Sequence, residues 1–227
     1  MKPIKFISRI VKVEELAPNV KNISLSVPED FEFTAGQYIS FIIEIDGKKI
    51  RRPYSIASSP SEKNHLDLCI KIIPEGIATP TIDKLNEDGE ILILGPLGEF
   101  NIQNKNKNLV FISNSTGIGP FRSMIKDLLQ NNFKNKIILI AGYRNEEDVL
   151  YDNEFKELEK KHSKFTYKLA LSSKNSRVQN ILNESKEFID LNADYYLCGL
   201  NDMISSVRVL LTKKSIPMRN IYSEKYD

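Results

Sequence analysis

The sequence predicts two domains, an antiparallel β-barrel followed by a doubly wound α/β domain. At 227 residues the chain is long enough for two hydrophobic cores of ordinary size. Its first 100 or so residues hold short β-type runs separated by turns, whereas the later residues alternate β-type runs with runs of helical spacing. We place the boundary between the domains so that the barrel spans 1–102 and the α/β domain spans 103–227.

The first domain is assigned from six β-type runs, which favour an antiparallel barrel or a sandwich. They are KFISRIVKVEEL, NVKNISLSV, QYISFIIEI, YSIASS, LDLCIKII and EILILGP. One short helix, TPTIDKLNEDG, interrupts them. We expect Thr79 to cap this helix and Pro80 to take its first position.

The second domain begins after NIQNKNKN, a polar segment without periodicity that is typical of a linker. The predicted strands are LVFISN, KIILIAGY, FTYKLALSS and DYYLCGL. The predicted helices between and after them are FRSMIKDLLQNN, EEDVLYDNEFKELEKKH, RVQNILNES and NDMISSVRVLLTKK. This alternation favours a parallel sheet covered by helices on both faces.

Composition argues against several classes of function. The net charge is only +2, with basic and acidic residues interspersed, so no nucleic-acid-binding surface is expected. No apolar stretch is long enough for a membrane span or a secretory leader, and we expect a cytoplasmic location. Two distant cysteines, Cys69 and Cys198, cannot hold an iron–sulfur cluster, and the two histidines are expected at the surface, so no metal site is predicted.

Two segments of the first half combine residue types suited to a phosphorylated, ring-bearing cofactor. Arg52, Tyr54 and Ser55 offer a planar cation, a flat ring and a hydroxyl on one extended segment. Gly76 and Thr79 would let a phosphate approach the backbone at a helix start. The alternatives are an exposed basic edge strand carrying a structural tyrosine and an ordinary helix cap.

Two strand-to-helix junctions of the second half suit a nucleotide. The loop from Ser115 to Pro120 brings backbone N–H groups and a helix N-terminus to one point, which suits a pyrophosphate. Cys198 and Gly199 end another strand at the sheet edge where α/β folds bind ligands. An ordinary βα turn and a small buried side chain are the alternatives.

The order of these segments resembles the ferredoxin-NADP reductase family over essentially the whole chain. Arg52, Tyr54 and Ser55 match its R-x-Y-S motif, and Gly76 and Thr79 match its G-x-x-S/T motif. The remaining matches are GPLGEF from Gly95 to Phe100, the T-G-I-x-P loop at Thr116–Pro120, the C-G-x-x-x-M motif from Cys198 to Met203, and the E-x-Y spacing of Glu224 and Tyr226.

The resemblance implies FAD and NAD(P)H as cofactors and a hydride passing between them. The residues that it assigns to FAD are Arg52, Pro53, Tyr54, Ser55, Gly76, Ile77, Ala78, Thr79 and Tyr226. Those that it assigns to the nucleotide are Ser115, Thr116, Gly117, Ile118, Pro120, Ser172, Arg177, Cys198, Gly199 and Met203. The catalytic assignments are Ser55, Cys198 and Glu224, with Cys198 holding the nicotinamide against the flavin.

The sequence departs from the family at two places. Ser115 stands where the family usually has glycine, and Ser172 and Ser173 follow a strand where NADP-preferring relatives place serine and then arginine. The choice between NADH and NADPH is therefore left open. The expected partners are the nicotinamide nucleotide and a one-electron carrier such as ferredoxin or flavodoxin. The alternatives are an FAD-bearing subunit of a larger redox complex, an NAD(P)H:flavin reductase, and a nucleotide-binding regulator that has lost its flavin.

Overall fold

The computed structural model describes residues 2–226, which fold into two compact units. The first unit comprises the chain up to Asn101 together with Gly119–Asp127. The second comprises Ile102–Ile118 and the chain from Leu128 onward.

The first unit contains a six-stranded antiparallel sheet and one short helix. Its strands are β1 (Ile4–Ala17), β2 (Val20–Ser26), β3 (Tyr38–Ile45), β4 (Lys48–Ser55), β5 (His65–Lys71) and β6 (Glu90–Leu97), and its helix is α1 (Thr79–Asp83). The strand order is β4-β3-β6-β1-β2-β5. A bridge between Ile56 and Leu68 joins the chain after β4 to β5, so the sheet curls toward closure around its core as the predicted barrel requires.

Alternation along the strands of this sheet places one face in a hydrophobic core. Ile23, Leu25, Ile39, Phe41 and Ile93 are fully buried in that core. Their spacing of two along β2 and β3 is what a sheet with one buried face requires.

Two sequence assignments in the first unit are wrong. The run YSIASS is not a separate strand, because β4 begins at Lys48 and ends at Ser55, so the R-x-Y-S motif lies within a strand. Thr79 does not cap α1, because Ala78 is the N-cap residue and no side chain caps the helix. The Thr79 hydroxyl is instead bonded to the backbone of Ile73.

Arg122 joins Gly119–Asp127 to the sheet of the first unit. Its guanidinium is nearly buried and donates to the carbonyl of Ala57 at 3.0 Å and to Oδ2 of Asp67 at 3.3 Å. Oδ1 of Asp67 accepts from the hydroxyl of Ser24 at 2.7 Å. A buried cation and a buried carboxylate are thus paired and hydrogen-bonded, as low-dielectric surroundings demand.

The second unit contains a five-stranded parallel sheet in the order β11-β10-β7-β8-β9. Its strands are β7 (Leu109–Asn114), β8 (Ile137–Tyr143), β9 (Phe165–Leu171), β10 (Asp194–Gly199) and β11 (Ile221–Lys225). The helices are α2 (Ile118–Gln130), of which Gly119–Asp127 groups with the first unit, α3 (Asp152–Lys161), α4 (Val178–Glu184) and α5 (Asn201–Lys213). The predicted α/β organisation is confirmed.

Two details of the second unit differ from the sequence assignment. The predicted helix over 146–162 is interrupted, because Tyr151 adopts the left-handed conformation with φ +58° and α3 begins only after it. Sequence patterning also missed β11, which is five residues long and pairs in parallel with β10 at the sheet edge.

Candidate functional site

The R-x-Y-S motif lies on the edge strand β4. Tyr54 is half-buried, with its ring centroid 5.1 Å from that of Phe41, and burial raises its pKa to about 12, so the phenol keeps its proton at neutral pH. Arg52 lies two residues earlier on the same face, as alternation predicts. Ser55 is buried and Pro53 is exposed. The strand therefore offers a cation and a neutral aromatic side chain side by side.

The loop before α1 is closed by Thr79. Its hydroxyl donates to the Ile73 carbonyl at 2.7 Å and accepts from the Ile73 N–H at 3.0 Å. A Cβ on Gly76 would lie 2.8 Å from the Thr79 hydroxyl oxygen, so the closed loop leaves no room for a side chain there. The N–H groups of Ile77, Ala78 and Thr79 form no hydrogen bond in the described chain and are available to an anion.

The loop after β7 contains a strained residue. Ser115 has φ +51°, a left-handed conformation that favours glycine. It begins a single 3₁₀ turn, Ser115–Gly117, which leads directly into α2. Pro120 falls within the first turn of α2, where a missing N–H costs no helical bond. The sequence departs from the family at this position, and in the structure the serine that stands there has a backbone conformation that glycine adopts more easily.

Two loops at the carboxyl edge of the second sheet interlock. A Cβ on Gly117 would lie 2.4 Å from the carbonyl oxygen of Cys198, so these backbones are in contact. The side-chain Oδ1 of Asn114 accepts a hydrogen bond from the Leu200 N–H at 2.9 Å. Gly199 has φ +137°, and a Cβ there would lie 1.8 Å from Asn114 Oδ1. Sequence reasoning missed Asn114, whose only signal is an amide side chain at a strand end.

Cys198 is fully buried where β10 ends, beside the C-terminal strand. Burial raises the pKa of its thiol well above the usual value, and the Glu224 carboxylate raises it further. A hydrogen bond with the Tyr226 side chain acts in the opposite direction. The Tyr226 N–H donates to the Gly199 carbonyl at 2.9 Å, and Cys198 is paired in register with Glu224. The structure thus brings together the three residues that the C-G and E-x-Y motifs single out.

The chain after β9 forms a cationic corner near Ser172. The Ser173 N–H donates to the Arg144 carbonyl at 3.0 Å, and Lys174 is ion-paired with Glu146. Arg144 and Arg177 are both exposed. The acidic side chains on the neighbouring turn are those of Glu146, Glu147 and Asp148, and Asp148 accepts a hydrogen bond from the Asn145 N–H at 3.0 Å. Of the other residues assigned to the nucleotide, Met203 lies in the core of the second unit.

One acidic cluster lies outside these loops. Glu62, His65 and Asp67 each place a ligand-type atom within 4.8 Å of the others. The Glu62 carboxylate is 2.5 Å from the Lys126 ammonium, and Asp67 is paired with Arg122. Because these cations already balance the carboxylates, the arrangement is that of a salt-bridge network.

Comparison with known families gives each half of the chain a match. Residues 8–102 match the oxidoreductase FAD-binding domain, and residues 111–209 match the oxidoreductase NAD-binding domain. The chain belongs to the ferredoxin-NADP reductase family. This reductase is therefore an FAD- and NAD-binding oxidoreductase.

Relatives and solved structures agree with this assignment. The reductase is 27% identical to ferredoxin--NADP reductase B of Sorangium cellulosum, with 98% of each chain covered. It is 31% identical to the phenol hydroxylase P5 protein of Acinetobacter pittii over 96% of its own length, and it spans 64% of that relative. A ferredoxin-NADP+ reductase structure from Plasmodium falciparum covers 99% of the reductase with a TM-score of 0.84 and 28% identity, and 96% of that chain is covered.

The residues present fit both FAD and a nicotinamide nucleotide. For FAD, the first unit supplies the cation and ring of β4 and the available amides of the loop before α1. For the nucleotide, the close approach at Gly117 leaves backbone rather than side chain at the start of α2. Among the described residues, no helix is long and apolar enough to cross a membrane.

Proposed function

We propose that this reductase takes a hydride from NADPH onto FAD and passes the electrons to an acidic one-electron carrier protein. The observation that carries the proposal is the interlock of the Gly117 loop with Cys198, because it fixes a pyrophosphate-binding backbone next to the residue assigned to the nicotinamide. Bound FAD would supply the redox chemistry, accepting two electrons together and releasing them singly. The protein's part would be to bind FAD and the nucleotide, to orient their reacting rings and to protect them from water.

In the first unit, the proposed role of Arg52 is to pair with a phosphate of FAD, and that of Tyr54 is to pack against the isoalloxazine ring. Burial keeps the Tyr54 phenol neutral, so its face meets the ring without a charge to desolvate. The Thr79 hydroxyl holds the loop closed, and the amides around Ala78 bind the diphosphate. Ser55 would hydrogen-bond the reactive edge of the ring.

In the second unit, the proposed role of the loop from Ser115 to Pro120 is to bind the nucleotide pyrophosphate. Cys198 would pack against the nicotinamide as a neutral thiol, because burial raises its pKa. Glu224 would hold or relay a proton at the outer face. Tyr226 would leave its hydrogen bond with Cys198 when the nicotinamide enters.

The preference for NADPH is supported by the cationic corner after β9. Arg144 and Arg177 are exposed there. Of the three nearby carboxylates, Glu146 is ion-paired with Lys174 and Asp148 accepts from the Asn145 N–H, whereas Glu147 is exposed. Cations favour the 2′-phosphate of NADPH, and a carboxylate would favour the free ribose hydroxyl of NADH. Arg144→Ala is expected to raise the KM for NADPH about tenfold and to leave that for NADH unchanged. Arg219→Ala, an exposed change before β11, is the control, and equal effects on both nucleotides would contradict the preference.

The proposed carrier is acidic because the edge strand β4 is basic. Lys49 and Arg51 are exposed and share the outer face of the sheet, opposite Glu44 and Ile42. Lys49→Glu is expected to slow reduction of an added ferredoxin or flavodoxin at low salt and to leave ferricyanide reduction unchanged. Lys71→Glu, on the opposite edge strand, is the matched control. Equal rates for both variants would remove the argument for this carrier surface.

The deciding experiment is an absorbance spectrum of the purified protein before and after anaerobic NADH or NADPH. Flavin bands that bleach faster with NADPH would support the proposal. A yellow protein that neither nucleotide bleaches would favour an electron-transfer subunit awaiting its partner. A colourless protein that cannot be reconstituted with FAD would favour the regulator. Turnover of free FMN with no carrier protein present would favour a flavin reductase. We also propose that the protein acts in the cytoplasm.

A further inference from the structure

The carboxyl half of the second sheet carries two rows of side chains on one face. In the first row, Phe111, Tyr196 and Tyr222 are paired in register on β7, β10 and β11. The ring centroids are 5.5 Å apart for Phe111 and Tyr196 and 4.9 Å apart for Tyr196 and Tyr222. These contacts establish that the three side chains point to the same side of the sheet.

The second row lies two residues further along each strand and is polar. It consists of Ser113, Cys198 and Glu224, which are paired in the same register. Because side chains two residues apart on a strand share a face, this row lies on the same side as the aromatic one. The Cys198 thiol is therefore flanked by a hydroxyl on one strand and a carboxylate on the other.

Ser113 is an unusual member of this row. Its side chain is fully buried, and its hydroxyl oxygen has no hydrogen-bond partner in the part of the chain that the structure describes. On its other side the row continues with Ala141 of β8, which has no polar side-chain atom. A buried hydroxyl without a partner destabilises a fold, so its presence calls for an explanation.

We propose that Ser113 is a positioning residue, whose hydroxyl accepts a hydrogen bond from the Cys198 thiol when the nicotinamide binds. The inference rests on the proposed function. In the structure the Cys198 sulfur accepts a hydrogen bond from the Tyr226 side chain, which holds the thiol in its present orientation, and entry of the nicotinamide would take that bond away. Rotation about one side-chain bond then turns the S–H toward Ser113 and orients the sulfur toward the ring.

The thiol has the chemistry that this bond needs. Its raised pKa keeps it protonated, so it has one proton to donate, and the serine oxygen has a free lone pair to receive it. Glu224 is the competing acceptor on the other side. A bond to neutral Ser113 leaves the Glu224 carboxylate available for the proton-handling role proposed for it.

The test is a double-mutant cycle of Ser113→Ala and Cys198→Ala, measured by stopped-flow reduction of the flavin at saturating NADPH. Ser113→Ala is expected to slow hydride transfer about tenfold with the NADPH Kd unchanged, and to slow it less than about twofold in the Cys198→Ala background. The thermal midpoint of Ser113→Ala should rise or stay the same, because an unpaired buried hydroxyl is removed. A wild-type rate for Ser113→Ala, or an equal loss in both backgrounds, would overturn the proposal.

Ser123→Ala provides the matched control. Ser123 is also fully buried and its hydroxyl also lacks a partner among the described residues, but it lies on α2 and not in the polar row. Its removal should leave the rate unchanged. An equal slowing by Ser123→Ala would show that the effect is general to buried serines.

A second measurement does not depend on turnover. In a Cys69→Ala background, Cys198 carries the one remaining thiol of the sequence, so its S–H stretching band can be read by infrared spectroscopy. With NADP+ bound, the band should move to lower frequency, and the shift should be absent in Ser113→Ala. The same shift in both proteins would refute the inference even if the flavin were never reduced, whereas failure of the wild-type flavin to bleach would count against the proposed function instead.

Discussion

Gly117 and Gly119 are separated by one residue, yet the structure predicts opposite outcomes for changing each to alanine. A Cβ on Gly117 would lie 2.4 Å from the Cys198 carbonyl oxygen and 2.8 Å from the Gly199 nitrogen. These are backbone atoms, so the two loops must separate by about 0.6 Å or more. A Cβ on Gly119 would meet its nearest neighbours, the Cβ atoms of Ala57 and Cys69, at 3.8 Å, which is ordinary van der Waals contact.

The two variants should therefore differ in stability and in rate. Forced overpacking costs about 1–3 kcal/mol, so Gly117→Ala should lower the free energy of unfolding by that amount. A displacement approaching 1 Å at a reacting centre can cost about 100-fold in rate, so flavin reduction by NADPH should slow by up to that factor. Gly119→Ala places alanine in a helix without a steric clash, so it should gain up to about 1 kcal/mol and should slow flavin reduction much less than Gly117→Ala does.

Urea unfolding and stopped-flow flavin reduction, run on both variants and the wild type, measure these quantities. Unfolding needs neither cofactor nor turnover, so it tests the steric reasoning independently of the proposed function. If Gly117→Ala proved as stable and as fast as Gly119→Ala, the interlock of the two loops would not be the constraint described above.

Three further predictions concern strain, the C-terminus and the buried ion pair. Ser115→Gly should stabilise the protein by up to about 1 kcal/mol in thermal unfolding, because glycine adopts φ +51° without the steric cost that a side chain brings, and Ser115→Ala should give no gain. Deleting 224–227 should speed alkylation of Cys198 by iodoacetamide, because Tyr226 and the burial that raises the thiol pKa are lost; unchanged alkylation, turnover and nucleotide affinity would discard the role of the tail. Arg122→Met should cost about 3 kcal/mol or more in urea unfolding by leaving the Asp67 carboxylate buried without its cation, and a loss below about 1 kcal/mol would mean that solvent reaches the pair.

Local pattern was enough to predict the two-domain order and most strands. LVFISN was assigned over the same residues that form β7, because a short apolar run between polar segments has few alternatives. β4 was harder to find, since lysines and arginines occupy most of its first five positions and hide the alternation of an edge strand. β11 was missed because a five-residue strand at a sheet edge derives its conformation from its partner strand.

In the candidate site, too, local sequence pattern was enough to find some residues, whereas others depend on contacts between distant parts of the chain. The loop around Gly117 and the position of Cys198 could be predicted from strand ends alone. Thr79 could not, because whether its hydroxyl caps a helix or closes a loop depends on the path of the backbone at Ile73. The roles of Ser113 and Asn114 depend on strand register and on a contact 86 residues away, which no local pattern carries.

The division of the chain into units has a consequence for how the protein is made. Because Gly119–Asp127 groups with the first unit, that unit lacks part of its native packing until residue 127 has been synthesised, well beyond the predicted boundary at 102. A nascent barrel that emerged from the ribosome alone would hold the Asp67 carboxylate without the Arg122 guanidinium. Synthesis of the second unit is therefore already under way before the first is finished, and a fragment cut at 102 should be a poor substitute for the barrel as it occurs in the whole chain.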